Sequence, residues 1–170
     1  MIDQFNAEKE SGQLVQVTRE ELERFKRVNF VPGFVTFNLN KIPPKARWVN
    51  DTAATFQGVS LNSMLLKGPD NLVALPQAIC AFREEAYAIL ADVKKMFNQI
   101  LLRKEDQYAQ LCLWRDCDAS KEPVIYRQTR VVFGPTCSPS VANAVRIKHA
   151  ENSMKKFPEA ASVALHQMYM

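Results

Sequence analysis

The stretch Ala86–Leu102 (AYAILADVKKMFNQILL) constrains the fold of this chain more than any other. Ala86 to Ala91 is an unbroken apolar run that ends on an acid, Asp92. A short continuous run of this kind reads as a strand buried on both faces. An ionised carboxylate at the end of such a strand is costly unless it is paired or bound to metal. Asp92 is therefore a candidate ligand for a divalent cation, with a helix-capping aspartate as the plainer alternative. A few helical residues should follow, and Ile100-Leu101-Leu102 leads into another strand.

The rest of the chain falls into short elements around this one. Thr18-Arg19-Glu20-Glu21 is a capping box that should open a helix reaching about Arg27. Phe34–Asn40 and Lys45–Asp51 read as two strands of a hairpin, with a rigid basic tip at Lys41-Ile42-Pro43-Pro44. Residues 58–68 look irregular. Leu72, Leu75, Ile79 and Phe82 have helical spacing, and Pro76 inside that pattern predicts a kink or a late start. Tyr108–Trp114 and Val124–Val132 read as strands joined by the polar loop RDCDASKEP. In the second of them Arg127 and Thr129 should face one way, Tyr126, Gln128 and Arg130 the other. A helix should run from about Ser140 into Lys155-Lys156 and stop at Phe157-Pro158. Ala160 to Met170 reads as a last helical turn or a strand. Strand pairs broken by single helices make this an α+β order rather than a βαβ rhythm.

Bulk properties narrow the function classes. A net charge of +4 and a pI near 8.9 are mildly basic, compatible with an anionic partner but far from a polybasic tail. No apolar run approaches the roughly 20 residues a membrane-spanning helix needs. The amino terminus MIDQFNAEKESGQ lacks a signal-peptide pattern, so the expected location is intracellular, cytoplasm or nucleus, with no membrane partner. Cys80, Cys112, Cys117 and Cys137 form no C-x-x-C pair and are expected to be reduced, mostly buried thiols. His149 and His166 have no evident catalytic partner and read as surface or packed residues.

Several motifs in order carry a resemblance: Arg47-Trp48-Val49-Asn50-Asp51, then Gly58–Asp70 (GVSLNSMLLKGPD), Phe82-Arg83-Glu84, Asp92–Phe97 (DVKKMF), Phe133–Ser140 (FGPTCSPS), Phe157-Pro158-Glu159 and Tyr169-Met170. Together they resemble the reverse transcriptases of BEL/Pao-type LTR retrotransposons over roughly 31–170. The resemblance implies a right-hand polymerase fold, an antiparallel sheet with packed helices. Residues 1–30 would be an N-terminal extension with a short helix. The fingers would occupy about 31–83 and 104–132, and a partial palm about 84–103 and 133–170. The implied partners are an RNA or DNA template-primer and deoxynucleotides, and the implied cofactor is Mg2+.

Residue by residue, Asp92 matches the first metal-binding, catalytic carboxylate, and the backbone carbonyl of Val93 would add a neutral ligand. Phe97 matches the ring that lies beneath the incoming sugar and rejects a ribose 2′-hydroxyl. Arg47 matches the arginine that clamps the triphosphate, a role suited to its fork of donors; Lys41 or Lys45 would add a second cation. Phe133 and Gly134 match the nucleotide-pocket segment, where glycine lets backbone approach closely. Ser138, Pro139 and Asp51 would lie on the template side. Asn50 departs from the family, where that position is commonly aromatic or apolar, and Thr52–Thr55 lacks a customary basic residue. Tyr169-Met170 resembles the first half of a Y-x-D-D turn, and no Asp-Asp pair occurs in the chain. The resemblance therefore implies a fragment of the enzyme, with the Asp92 strand and the Tyr169 end expected side by side in one sheet under the 140–156 helix. The alternative is a non-catalytic, element-derived module that binds nucleic acid or protein.

Overall fold

The chain begins with two elements that feed directly into its sheet, helix α1 (Ile2–Glu10) and strand β1 (Leu14–Gln16). There follow α2 (Arg19–Leu22), β2 (Gly33–Asn38), β3 (Lys45–Asn50), α3 (Leu61–Met64), α4 (Leu75–Phe82), α5 (Lys104–Gln107), β4 (Leu111–Trp114), β5 (Val124–Gln128), α6 (Ser138–Ser153) and α7 (Pro158–His166). These come from a computed structural model that describes residues 2–40, 42–84 and 86–169, without the side chains of Lys45 and Ala46. Two compact units divide them: Met1–Leu66 with Phe97–Ser138, and Lys67–Met96 with Pro139–Met170.

In the first unit β5 is the central strand of an antiparallel sheet ordered β1-β5-β4, and β2 and β3 form a separate antiparallel hairpin. The expected hairpin is thus present, with Phe34 opposite Val49 and Thr36 opposite Arg47. Its neighbours in space are chosen by aromatic and amide groups. Phe5 of α1 stacks on Trp114 of β4 with ring centroids 4.2 Å apart and meets Tyr126 of β5 edge-on at 5.1 Å. Trp48 of β3 meets Trp114 edge-on. A Cβ at Gly33 would collide with the Trp48 indole, so the facing strand carries glycine where the ring lies flat on it. Beside Trp48, Asn50 is buried and exchanges two hydrogen bonds with Gln128 of β5. A second cluster joins Val17, Tyr108 and Leu111, with Leu22 and Phe25 packed against it.

Local sequence rules explain most element ends. The Thr18 hydroxyl accepts from the Glu21 amide and starts α2, which closes after one turn rather than reaching Arg27. Phe25 then leaves the helical path to stack on the buried Tyr108 ring at 3.6 Å. Pro76 produces the late start: α4 begins at Leu75, where proline in the first turn loses no helical hydrogen bond. The expected 108–114 strand opens instead as a 3-10 turn over Tyr108–Gln110 before β4. The Ile100–Leu102 segment contributes one bridge, Leu101 to Arg130, beyond the end of β5.

The second unit contains α4, α6 and α7, and among its described residues no strand. Helix α6 runs close to its expected bounds, and Pro158 starts α7, so 160–166 is helix and not strand. Arg146 of α6 is buried and donates to the Ala164 carbonyl and, at 3.2 Å, to the side chain of Asn143.

Two expectations are overturned here. Ala86–Ala91 is not a buried strand: it has no regular structure, and Tyr87, Ile89 and Leu90 are each nearly nine-tenths exposed or more. A strand needs a neighbour to take its N–H and C=O groups, and the described residues of its unit offer only helices. For the same reason Asp92 and Tyr169 do not lie on adjacent strands, because neither belongs to one. The cysteines also differ: all four are free, but Cys112 alone is buried, while Cys80 and Cys117 are exposed. The architecture is mixed α and β with antiparallel sheets. Among the described residues no helix is long and apolar enough to cross a membrane.

Phe5→Ala should cost about 3–5 kcal/mol, the usual penalty for emptying a buried aromatic site, read as a lower urea midpoint with loss of near-ultraviolet dichroism from Trp114. An unchanged midpoint would mean that α1 is not part of the core. Burial pushes the Cys112 thiol from 9.0 up to about 12, with the Glu8 carboxylate adding to the effect. Folding thus favours the protonated thiol. The associated stability is intact below pH 9.0, the unfolded value, and is lost as pH rises through about 12. A Cys112→Ala variant should lack this part of the alkaline loss in denaturation measured across that window.

Candidate functional site

Three of the residues singled out by sequence meet in the first unit. Val131 and Val132 are buried at the end of the β5 segment, and the chain then turns outward at Phe133, whose ring is 63% exposed. Phe97, in the 3-10 turn Phe97–Gln99, lies edge-on to it, ring centroids 4.5 Å apart and planes at 67°. That distance and angle suit the attraction between a ring edge and a ring face. Thirty-odd residues separate the two in sequence, so the pairing is tertiary. The Phe133 ring thus presents an accessible apolar face beside a half-buried one.

Gly134 supplies the turn. Its φ of +122° is open to glycine and strained for other residues, and an added Cβ would sit 2.7 Å from the Asn50 carbonyl oxygen and 3.0 Å from the Thr52 hydroxyl. The resemblance implies a close approach of this glycine to a nucleotide; in the structure the close neighbours of Gly134 are Asn50 and Thr52, at and just past the end of β3. Asn62 completes the arrangement. Its side-chain NH2 donates to the Gly134 carbonyl at 3.2 Å and its oxygen accepts from the Thr136 amide at 3.0 Å. Farther on, buried Ser138 donates from its hydroxyl to the Val132 carbonyl at 2.8 Å, closing the loop on itself.

The other candidates stand differently. The Asp51 carboxylate accepts from the Ala53 and Ala54 amides at 3.2 and 3.0 Å and so shapes the turn after β3. Ser138 is likewise engaged internally, while Pro139 is exposed. Arg47 is exposed on β3. Lys41 lies outside the described residues, and of Lys45 only the backbone, in β3, is described. Asp92 and Val93 belong to the second unit, both exposed in irregular chain.

Among the described residues no three His, Cys, Asp or Glu side chains converge on a metal position. A lone exposed carboxylate leaves a divalent ion mostly hydrated, and it cannot hold two such ions against their mutual repulsion. Asp92 by itself does not fit a two-metal centre.

Sequence reading passed over Asn62, Asn50 and Gln128. The signal for the first was the Asn-Ser pair inside the apolar LNSMLL segment, and for Asn50 it was the departure from an apolar position. Compared with known proteins, the chain matches no family model and no curated protein.

Gly134→Ala should cost about 1–3 kcal/mol, the range for a residue forced into a sparsely populated backbone region, and should abolish ring-to-ring nuclear Overhauser effects between Phe97 and Phe133. Gly12→Ala is the control: its φ is +70° with no atom within 4 Å, so only backbone strain of about 1–2 kcal/mol applies. If both variants keep the aromatic contact and lose equal stability, the crowding at Gly134 is not what sets the loop.

Proposed function

We propose that the chain is the fingers and partial palm of an RNA-directed DNA polymerase of a BEL/Pao-type retrotransposon. The fingers would be 31–83 and 104–132, the palm 84–103 and 133–170. The observation that carries the reading is the contact of Phe97 with Phe133 beside the Gly134 turn. Two segments that the motif order assigns to one nucleotide pocket, Phe97 and Phe133-Gly134, are far apart in sequence and adjacent in space.

In this reading Phe97 lies under the deoxyribose, Phe133 and Gly134 line the pocket, and Arg47, with Lys41 or Lys45, meets the triphosphate. Asp51, Ser138 and Pro139 belong to the template side, where Asp51 and Ser138 act by shaping backbone. Asp92, with the Val93 carbonyl, is one of the carboxylate sites that magnesium takes in the intact enzyme. The 170 residues contain no Asp-Asp pair to supply the others. Nucleotidyl transfer is accordingly assigned to the intact enzyme and not to this polypeptide alone.

Titrating a deoxynucleoside triphosphate into the 170-residue chain should move the NMR resonances of Phe97, Phe133, Gly134 and Arg47, and the matching ribonucleotide should move them less. Primer extension should stay at background, and Asp92→Ala should change nothing measurable. A longer polypeptide carrying an in-frame Asp-Asp turn should extend a primer in an Asp92-dependent way. Duplex affinity, read by fluorescence anisotropy, should be weak and fall with salt, each phosphate contact adding about one unit to the salt slope. Nucleotide-independent shifts, or tight duplex binding that ignores salt, would favour the non-catalytic module instead.

A further inference from the structure

Asn62 stands on a turn built to hold it still. Phe56 and Val59 exchange two backbone hydrogen bonds across Gln57-Gly58, both at positive φ, which makes a tight reversal. Ser60 then caps α3: its hydroxyl accepts from the Ser63 amide, and the Ser63 hydroxyl accepts from the Ser60 amide, both at 3.1 Å. The Asn62 backbone amide donates to the Thr52 carbonyl at 3.0 Å. Its main chain is thus tied to the segment after β3, and its side chain grips both ends of the Gly134–Thr136 turn.

Gly134 itself is pressed against Asn50 and Thr52. One amide therefore fixes the 133–136 loop from one side while the β3 end blocks it from the other. The loop has no helix or strand of its own to hold it, so the pose of Phe133 against Phe97 depends on these contacts together with the bonds of Ser138 to Val132 and Pro135.

We infer that Asn62 is a positioning residue: by holding Gly134 and Thr136 it sets the pose of Phe133 on Phe97, and through that pair the selection of deoxy- over ribonucleoside triphosphate. The inference rests on the function proposed above and deepens it. Asn62 touches no reacting atom and acts through the loop alone. Removing its amide frees the Gly134 carbonyl and the Thr136 amide, and the Phe133 ring loses its fixed edge-on partner. The floor under the sugar then becomes mobile, and the fit that favours the deoxyribose is lost.

The test uses the 170-residue chain with dATP and ATP as probes. Asn62→Ala should raise the exchange rate of the Thr136 amide, remove the Phe97–Phe133 Overhauser effects and weaken dATP binding about tenfold, as expected for two lost hydrogen bonds. ATP binding should change little, so the ratio of the two affinities should collapse. Asn62→Asp is the second variant. It keeps an acceptor for the Thr136 amide while setting a carboxylate against the Gly134 carbonyl. It should keep Thr136 protected yet lose selectivity in part, and its fold is checked by circular dichroism. If wild type binds dATP selectively and both variants do so equally well, the assignment of Asn62 is overturned and the proposed function stands. If wild type binds neither nucleotide, the proposed function fails and this inference falls with it. An equal loss of dATP and ATP affinity would also overturn it, because a merely structural residue would act on both alike.

Discussion

The reciprocal amide pair of Asn50 and Gln128 is the interaction on which the first unit depends. Each side chain donates to the other, at 3.2 and 2.9 Å, and both residues are buried. The Asn50 oxygen accepts a second bond, from the Trp48 indole, and Gln110 donates to the backbone carbonyls of Gln128 and Arg130. Polar groups so placed are expensive if left unpaired, about 1–3 kcal/mol each. The hairpin and the sheet therefore have one register in which both amides are satisfied, and neighbouring registers orphan them. Apolar packing between Trp48 and Trp114 favours the approach, and the amides choose its geometry.

From that fixed point the loop geometry follows. With Asn50 held on Gln128, the Asn50 carbonyl and Thr52 face Gly134, and the Asp51 carboxylate folds the next turn over the Ala53 and Ala54 amides. The turn brings Thr52 to the Asn62 amide, and Asn62 returns to Gly134 and Thr136. The exposed Phe133 ring is thus tied to β5 twice: directly through the chain, and indirectly by way of β3 and α3. Such a closed circuit of hydrogen bonds lets a short loop hold an aromatic ring on the surface without burying it.

Much of this was legible in the sequence where one segment decides its own structure. The hairpin, the proline-delayed start of α4, the Thr18 cap and the bounds of α6 rest on local rules and were read directly. The contact of Phe97 with Phe133 joins two segments that the order of motifs had singled out separately. What escaped reading was pairing between distant amides. Asn50 registered as a departure from an apolar position, yet its partner Gln128 lies 78 residues away and nothing local announces it. Asn62 escaped for the same reason, its two bonds reaching 72 and 74 residues along the chain. Polar complementarity at that separation leaves no periodic trace, whereas apolar packing does.

The apolar run 86–91 fails in the opposite sense, and the failure is instructive about what a strand is. Its composition satisfies every local criterion: continuous apolar residues, no proline or glycine, an acid at the end. Yet Tyr87, Ile89 and Leu90 stand in solvent. A helix closes its hydrogen bonds within itself, so α6 and α7 form from their own residues. A strand closes none, and its propensity records a fit to neighbours rather than an intrinsic preference. In the first unit Leu14–Gln16 shows the contrast: a segment of only three residues, Leu-Val-Gln, becomes β1 because β5 offers it an edge and the core takes Leu14. Partner supply outweighs composition, and the placement of Asp92 follows from it. With no strand to carry it, Asp92 stands exposed in irregular chain, whereas Asp51 is fixed by the amides of the turn that it caps.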